Sequence, residues 1–190
     1  MKPVERSEIL DYQTYEDRRG AFRREVMAAK TRRRIHAGEC LTCLFENRLT
    51  IRYQVQEIMR AERIARERDI LHELDTYNAL LGAEGELGCT LLIEIDDPQE
   101  RAVRLREWYR LPEHLYARME DGRKIRPLFD EAQRGTDRVS SVQYLKFPVR
   151  GETPIAIGAD HPSLTAETLL TIDQRAALRE DLAPEHIARQ

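Results

Sequence analysis

Cysteine is scarce in this chain: three residues, Cys40, Cys43 and Cys89, among 190. An odd number implies no disulfide framework, and reduced thiols are expected. No run approaches the ~20 consecutive apolar residues of a membrane span. The opening Met1-Lys2-Pro3-Val4-Glu5-Arg6 lacks the apolar stretch of a secretory signal, so a cytoplasmic location is expected. There is no Walker loop, no Gly-x-Gly-x-x-Gly and no Gly-x-Ser-x-Gly, so none of those nucleotide-binding or hydrolase signatures applies. The five histidines (His36, His72, His114, His161 and His186) never fall at His-x-x-x-His or Glu-x-x-His spacing, which would place two metal ligands on one helix face. No metal site is expected, and no cofactor is indicated. Neither sign of charge dominates: the formal net charge is −3, against a protein that coats nucleic acid. Internal repeats, low-complexity tracts and linkers are absent.

What is present is a globular composition, 41% hydrophobic and 34% charged, over a length suited to one domain. Helical spacing predicts helices over 17–35, with Gly38 as its stop, 48–68 behind an Asn47 N-cap, and 70–80 with Leu71, Leu74 and Leu81 inward. Asp96-Asp97-Pro98 predicts a helix start, running to 110 and burying Val103, Leu105 and Trp108. The run 40–45 reads as a strand buried on both faces, and 89–95 is the clearest strand. Gly82, Gly85 and Gly88 mark a loop, and Asp121-Gly122 marks a hairpin between 115–120 and 123–128. Further strands are expected over 141–149, 154–158 and 168–172, a closing helix over 174–182, and a mobile loop over 130–137. Without regular strand–helix alternation, this order predicts an α+β fold. It would be a mixed or mainly antiparallel sheet packed against helices, as a single domain over 1–190, helix-rich in 1–82, strand-rich in 83–190, with one core.

Several groups of residues bear on chemistry. Cys40-x-x-Cys43 falls on a strand, where positions three apart face opposite ways, so core packing is the expected role. His161, in Asp160-His161-Pro162, sits in a turn after a strand, either a structural position or a site residue. Gln56, Arg60, Arg63 and Glu67 recur at helical spacing as a polar row, able to present fixed donors to an anion or to form an ordinary solvated face. Glu46 and Glu94 each end an apolar strand, where a buried carboxylate needs a cation, a ligand or a metal. A pocket joining Glu46, Glu57, Glu94 and His161 would make a small enzyme or metalloprotein. The first helix carries Arg18, Arg19, Arg23, Arg24, Lys30, Arg32, Arg33 and Arg34, a stripe for RNA or an acidic protein. Without interleaved aromatics, nucleic acid is not the expected partner.

Leu44-Phe45-Glu46-Asn47-Arg48, then Gln54 through Arg63, Glu73-Leu74-Asp75-Thr76-Tyr77-Asn78, Thr90 through Glu94 and Asp160-His161-Pro162 resemble a bacterial domain-of-unknown-function family, number thirty-five-oh-one. The resemblance implies a setting beside rubrerythrin and a heterodisulfide-reductase-like iron–sulfur protein, hence redox or peroxide-stress defence. It also implies recognition by the polar signature Glu46, Arg48, Gln56, Glu57, Arg60 and Arg63. The expected function is an accessory protein that binds a partner or a small anionic ligand.

Overall fold

In the computed structural model, Asp11 opens the first long helix by accepting the Thr14 N–H on its carboxylate. The structure describes residues 1–131, 135 and 137–183, so much of the loop expected over 130–137 lies outside the described residues. Helix α1 (Tyr12–Thr31) starts and ends earlier than its apolar face predicts. The residues after it form a strand, β1 (Arg34–Ala37), because Ile35 and Ala37 alternate inward and Gly38, at φ 68°, turns the chain into a hairpin with β2 (Leu41–Phe45). As expected, every residue of β2 is buried.

Helix α2 (Arg48–Glu62) follows an Asn47 cap and stops six residues before the predicted end, where Arg63 takes a left-handed conformation at φ 55°. In α3 (Glu67–Asn78) the inward residues are Ile70 and Leu74, whereas Leu71 is 44% exposed. Gly88 belongs to β3 (Leu87–Ile93) rather than to the loop before it. Helix α4 (Pro98–Glu107) buries Leu105 and leaves Val103 exposed, and Trp108 is buried just after it. A short α5 (Leu111–His114) leads into β4 (Leu115–Arg118) and, across the Asp121-Gly122 turn, into β5 (Lys124–Ile125). The remaining elements are β6 (Leu128–Phe129), β7 (Val142–Phe147), β8 (Ala156–His161), β9 (Leu164–Leu169) and α6 (Ile172–Leu182).

The fold is α+β, with every strand pair antiparallel. There are two sheets rather than one: a five-stranded sheet in the order β1-β2-β3-β7-β6 and a four-stranded sheet in the order β5-β4-β8-β9. Their inner faces meet in one core holding Cys43, Phe45, Cys89, Leu91 and Phe147 from one sheet and Ala117, Ile157 and Ala159 from the other. Trp108, Leu111 and Leu178 close its ends. A second cluster joins Val4 and Ile9 to α2 and α3 through Ile51, Val55, Ile70 and Leu74. No helix among the described residues is long and apolar enough to cross a membrane.

Gly88 ties the two regions together. A Cβ there would lie 2.0 Å from the Leu80 carbonyl oxygen, while its own carbonyl accepts the Glu46 N–H at 2.9 Å. Gly88→Ala is therefore expected to destabilise the fold by about 3 kcal/mol, at the upper end of overpacking costs. A lowered urea midpoint with unchanged slope would register it.

Candidate functional site

The polar row on α2 points at the chain's own first residues. Gln56 is buried, accepting the Leu10 N–H at 2.6 Å and donating to the Leu10 carbonyl at 3.3 Å. Glu57 takes both forks of Arg19 at 2.8 Å and the Tyr15 hydroxyl at 2.6 Å. Arg60 grips Glu16; Glu67, expected to continue the row, instead opens α3 because α2 ends at Glu62, and grips Arg6 from there. Arg48 bridges Glu8 at 2.6 Å and donates to the carbonyls of Lys2 and Pro3. Arg63 differs: it is exposed, and its N–H closes the helix on the Met59 carbonyl. Bidentate pairs of this kind fix orientation as well as charge, so the row clamps the amino-terminal segment onto α2.

Glu46 sits at the β2–α2 turn, 3% exposed, accepting the hydroxyls of Thr50 at 2.6 Å and Thr90 at 2.8 Å. Lys30 contributes a favourable field from nearby, its ammonium 5.6 Å from the Tyr53 ring centre, and burial lowers the pKa of that lysine. Next in sequence, Asn47 accepts the Thr50 N–H at 3.0 Å and donates to Asp181 at 3.2 Å. Asp181 is neutralised by the buried Arg33, at 2.7 and 2.9 Å, which anchors α6 beside the turn.

Between these elements lies a cavity of 690 Å³, walled by Lys2, Pro3, Arg48, Leu49, Gly85 and Leu182 among others. Its size suits a small ligand. Among the described residues, Arg48 is its only arginine, and no serine, threonine, cysteine or histidine lines it. The first N–H groups of α2, which have no intrahelical acceptor, also lie at this end.

Glu94 is placed elsewhere. β2 and β3 are neighbours but antiparallel, with Glu46 beside Gly88 and Glu94 beside Cys40. Six residues of strand separate the two acids, about 20 Å at the rise of an extended chain. Glu94 is exposed and accepts the Thr42 hydroxyl, whose oxygen is also 2.8 Å from His36 Nδ1. His161 lies on β8 in the other sheet, with Ser163 Oγ 3.1 Å from its Nδ1 and the His114 ring 5.0 Å away. Burial, then His114, lowers its pKa. Asp160 beside it is held far below the usual carboxylate range by Arg126 and then Lys124. Glu46, Glu57, Glu94 and His161 thus have four separate sets of partners, and the fold does not gather them into one pocket. Among the described residues, no three His, Cys, Asp or Glu are grouped to hold a metal ion. Sequence reasoning passed over His36, Thr42 and Asp181; only the Asn47 cap, by marking the α2 end, hinted at the last.

Arg19 holds the Glu57 carboxyl below its ordinary pKa, against the opposing effect of burial. A depressed carboxylate pKa contributes stability that is present above about pH 4.3, the unfolded value, and lost as pH falls through the folded value. Glu57→Gln is expected to cost about 2 kcal/mol at neutral pH. Denaturation across a pH series should show its deficit shrinking in acid; a constant deficit would contradict the assignment.

The protein-of-unknown-function model DUF3501 matches residues 3–182. A solved structure from Burkholderia pseudomallei K96243, described as a novel protein of unknown function at 1.90 Å resolution, is 28% identical with a TM-score of 0.87. The match covers 96% of this chain and 100% of that one. Comparison with curated proteins gives no match. The signature around Glu46–Arg48 lies inside the matched region, and the chain belongs to the DUF3501 family.

Proposed function

We propose that this protein is a binding protein whose ligand occupies the cavity at the amino end of α2, and that it serves as an accessory rather than a catalyst. The supporting observation is the composition of the cavity: a ligand-sized space against Asn47-Arg48 of the signature, whose described lining residues include no hydroxyl, thiol or imidazole nucleophile. Its ligand is a small molecule with an anionic group directed to Arg48 and the positive end of the helix dipole. Asp181 does not oppose such a group strongly, because Arg33 and Asn47 already engage it. In this reading the α2 row acts indirectly, by holding Lys2 and Pro3 where they form the wall.

The redox or peroxide-stress setting, with rubrerythrin or an iron–sulfur redox protein as partner, rests on the family resemblance. The chain's own thiols lend it no reactive centre: Cys43 and Cys89 are buried, and burial raises the Cys89 and Cys40 pKa values. Such a setting therefore requires the partner to carry the redox chemistry.

Native mass spectrometry of anaerobically purified protein should show retained ligand mass, or, if the ligand is lost, thermal stabilisation by small carboxylates or phosphates. A hundredfold excess over Kd corresponds to about 2.7 kcal/mol. Leu49→Trp, which fills the cavity, should abolish the effect without lowering the melting temperature of the ligand-free protein. A clean apo mass and no stabilisation would overturn the ligand reading. Co-purification with neither redox protein would remove the proposed partners.

A further inference from the structure

A second site is legible on the outer face of the five-stranded sheet. His36 on β1 and Thr42 on β2 are direct cross-strand partners. The Thr42 side chain is buried and its oxygen touches both His36 Nδ1, at 2.8 Å, and the Glu94 carboxylate. Glu94, when ionised, can only accept, so the single Thr42 hydroxyl proton goes to it. The Thr42 oxygen is then left to accept from His36, which requires the Nδ1–H tautomer. His36 Nε2 consequently carries a lone pair; the ring is exposed, and this nitrogen has no hydrogen bond to a described residue.

Arg34 lies two residues back on the same exposed face of β1, about 7 Å along the strand. Its guanidinium has no carboxylate within 4 Å among the described residues, a state it shares with Arg32 nearby in the chain. Lys30 stands close enough for the two cations to oppose one another. Among the described residues, one edge strand thus offers a cation without a carboxylate partner beside a nitrogen fixed as an acceptor. The matching ligand has an anionic oxygen and, next to it, an oxygen that still bears a proton.

We propose that Arg34 and His36 bind a protonated oxyanion, of which inorganic hydrogenphosphate is the simplest. Arg34 pairs with the charged oxygens and His36 Nε2 accepts the P–OH hydrogen bond. Thr42 and Glu94 are positioning residues that hold the tautomer. No covalent step is involved, and the site is separate from the cavity at α2.

The test uses two dianions that differ in the proton. At about pH 7.5 hydrogenphosphate keeps one proton and sulfate has none. Titrations followed by NMR of the His36 ring should give hydrogenphosphate about tenfold tighter binding than sulfate, the worth of one charge-assisted hydrogen bond. A fully ionised phosphate monoester should behave like sulfate, which separates free phosphate from phosphorylated ligands. Arg34→Gln should weaken hydrogenphosphate about tenfold. Thr42→Val, nearly isosteric, should abolish the preference over sulfate while the protein remains folded, and nitrogen shifts of wild-type His36 should report the Nδ1–H tautomer. An Nε2–H tautomer, equal affinity for the two dianions, or no response of His36 to hydrogenphosphate would overturn the proposal. Should Thr42→Val fail to fold, exposed His36→Phe, whose ring carries no acceptor, serves instead, and calorimetric titration is expected to show the same loss of discrimination.

Discussion

A carboxylate removed from water must be met by donors, and at the β2–α2 turn Glu46 is met by two threonine hydroxyls from different elements, Thr50 on α2 and Thr90 on β3. Its backbone N–H is bound by Gly88 on β3. The turn is therefore held on both sides, and much else follows from its position. Asn47 comes into place both to cap α2 and to reach Asp181, so the closing helix α6 docks against the same turn. Gly88 can approach Leu80 only because it has no side chain, which brings the end of α3 down onto the sheet. The cavity beside Arg48 is the space these elements leave between them.

The charged composition has a similar internal use. Single exposed ion pairs contribute ~0–1 kcal/mol, too little to organise a segment. On α2 they act in series with Gln56, whose amide satisfies both backbone groups of Leu10 in a buried position. The first nineteen residues are thereby fixed to one helix face through Glu8, Leu10, Tyr15, Glu16 and Arg19. Fixing α1 places Lys30 near Glu46 and leads the chain into β1, where Arg34 and His36 are presented. The candidate cavity and the candidate oxyanion site therefore share one frame.

Local signals were read correctly where local physics suffices. The continuous apolar run of β2, the Asn47 cap, the Asp97-Pro98 helix start and the Asp121-Gly122 hairpin all appear where the residues indicate. Errors arose where distant contacts decide. Arg34–Ala37 looks helical in continuation of α1, and only pairing with β2 makes it a strand. Leu71 and Val103 fit helical apolar spacing yet face solvent, since spacing cannot say which flank of a stripe meets the core. The polar row of α2 was visible as a row, but nothing in its spacing reveals that its acceptors and donors lie some forty residues earlier in the chain.

The sequence by itself determined the class of fold and which residues resist burial without a partner, because both follow from periodicity and from the cost of desolvating charge. It marked Glu46 and Glu94 alike as buried acids in need of partners, which holds for Glu46, whereas Glu94 is exposed. Tertiary structure decided what those partners are. Antiparallel pairing sends two acids that look alike in sequence to opposite ends of one ladder, so Glu46 secures a turn while Glu94 accepts the Thr42 hydroxyl beside His36. Strand direction and register are settled by contacts between segments dozens of residues apart, which no local pattern records.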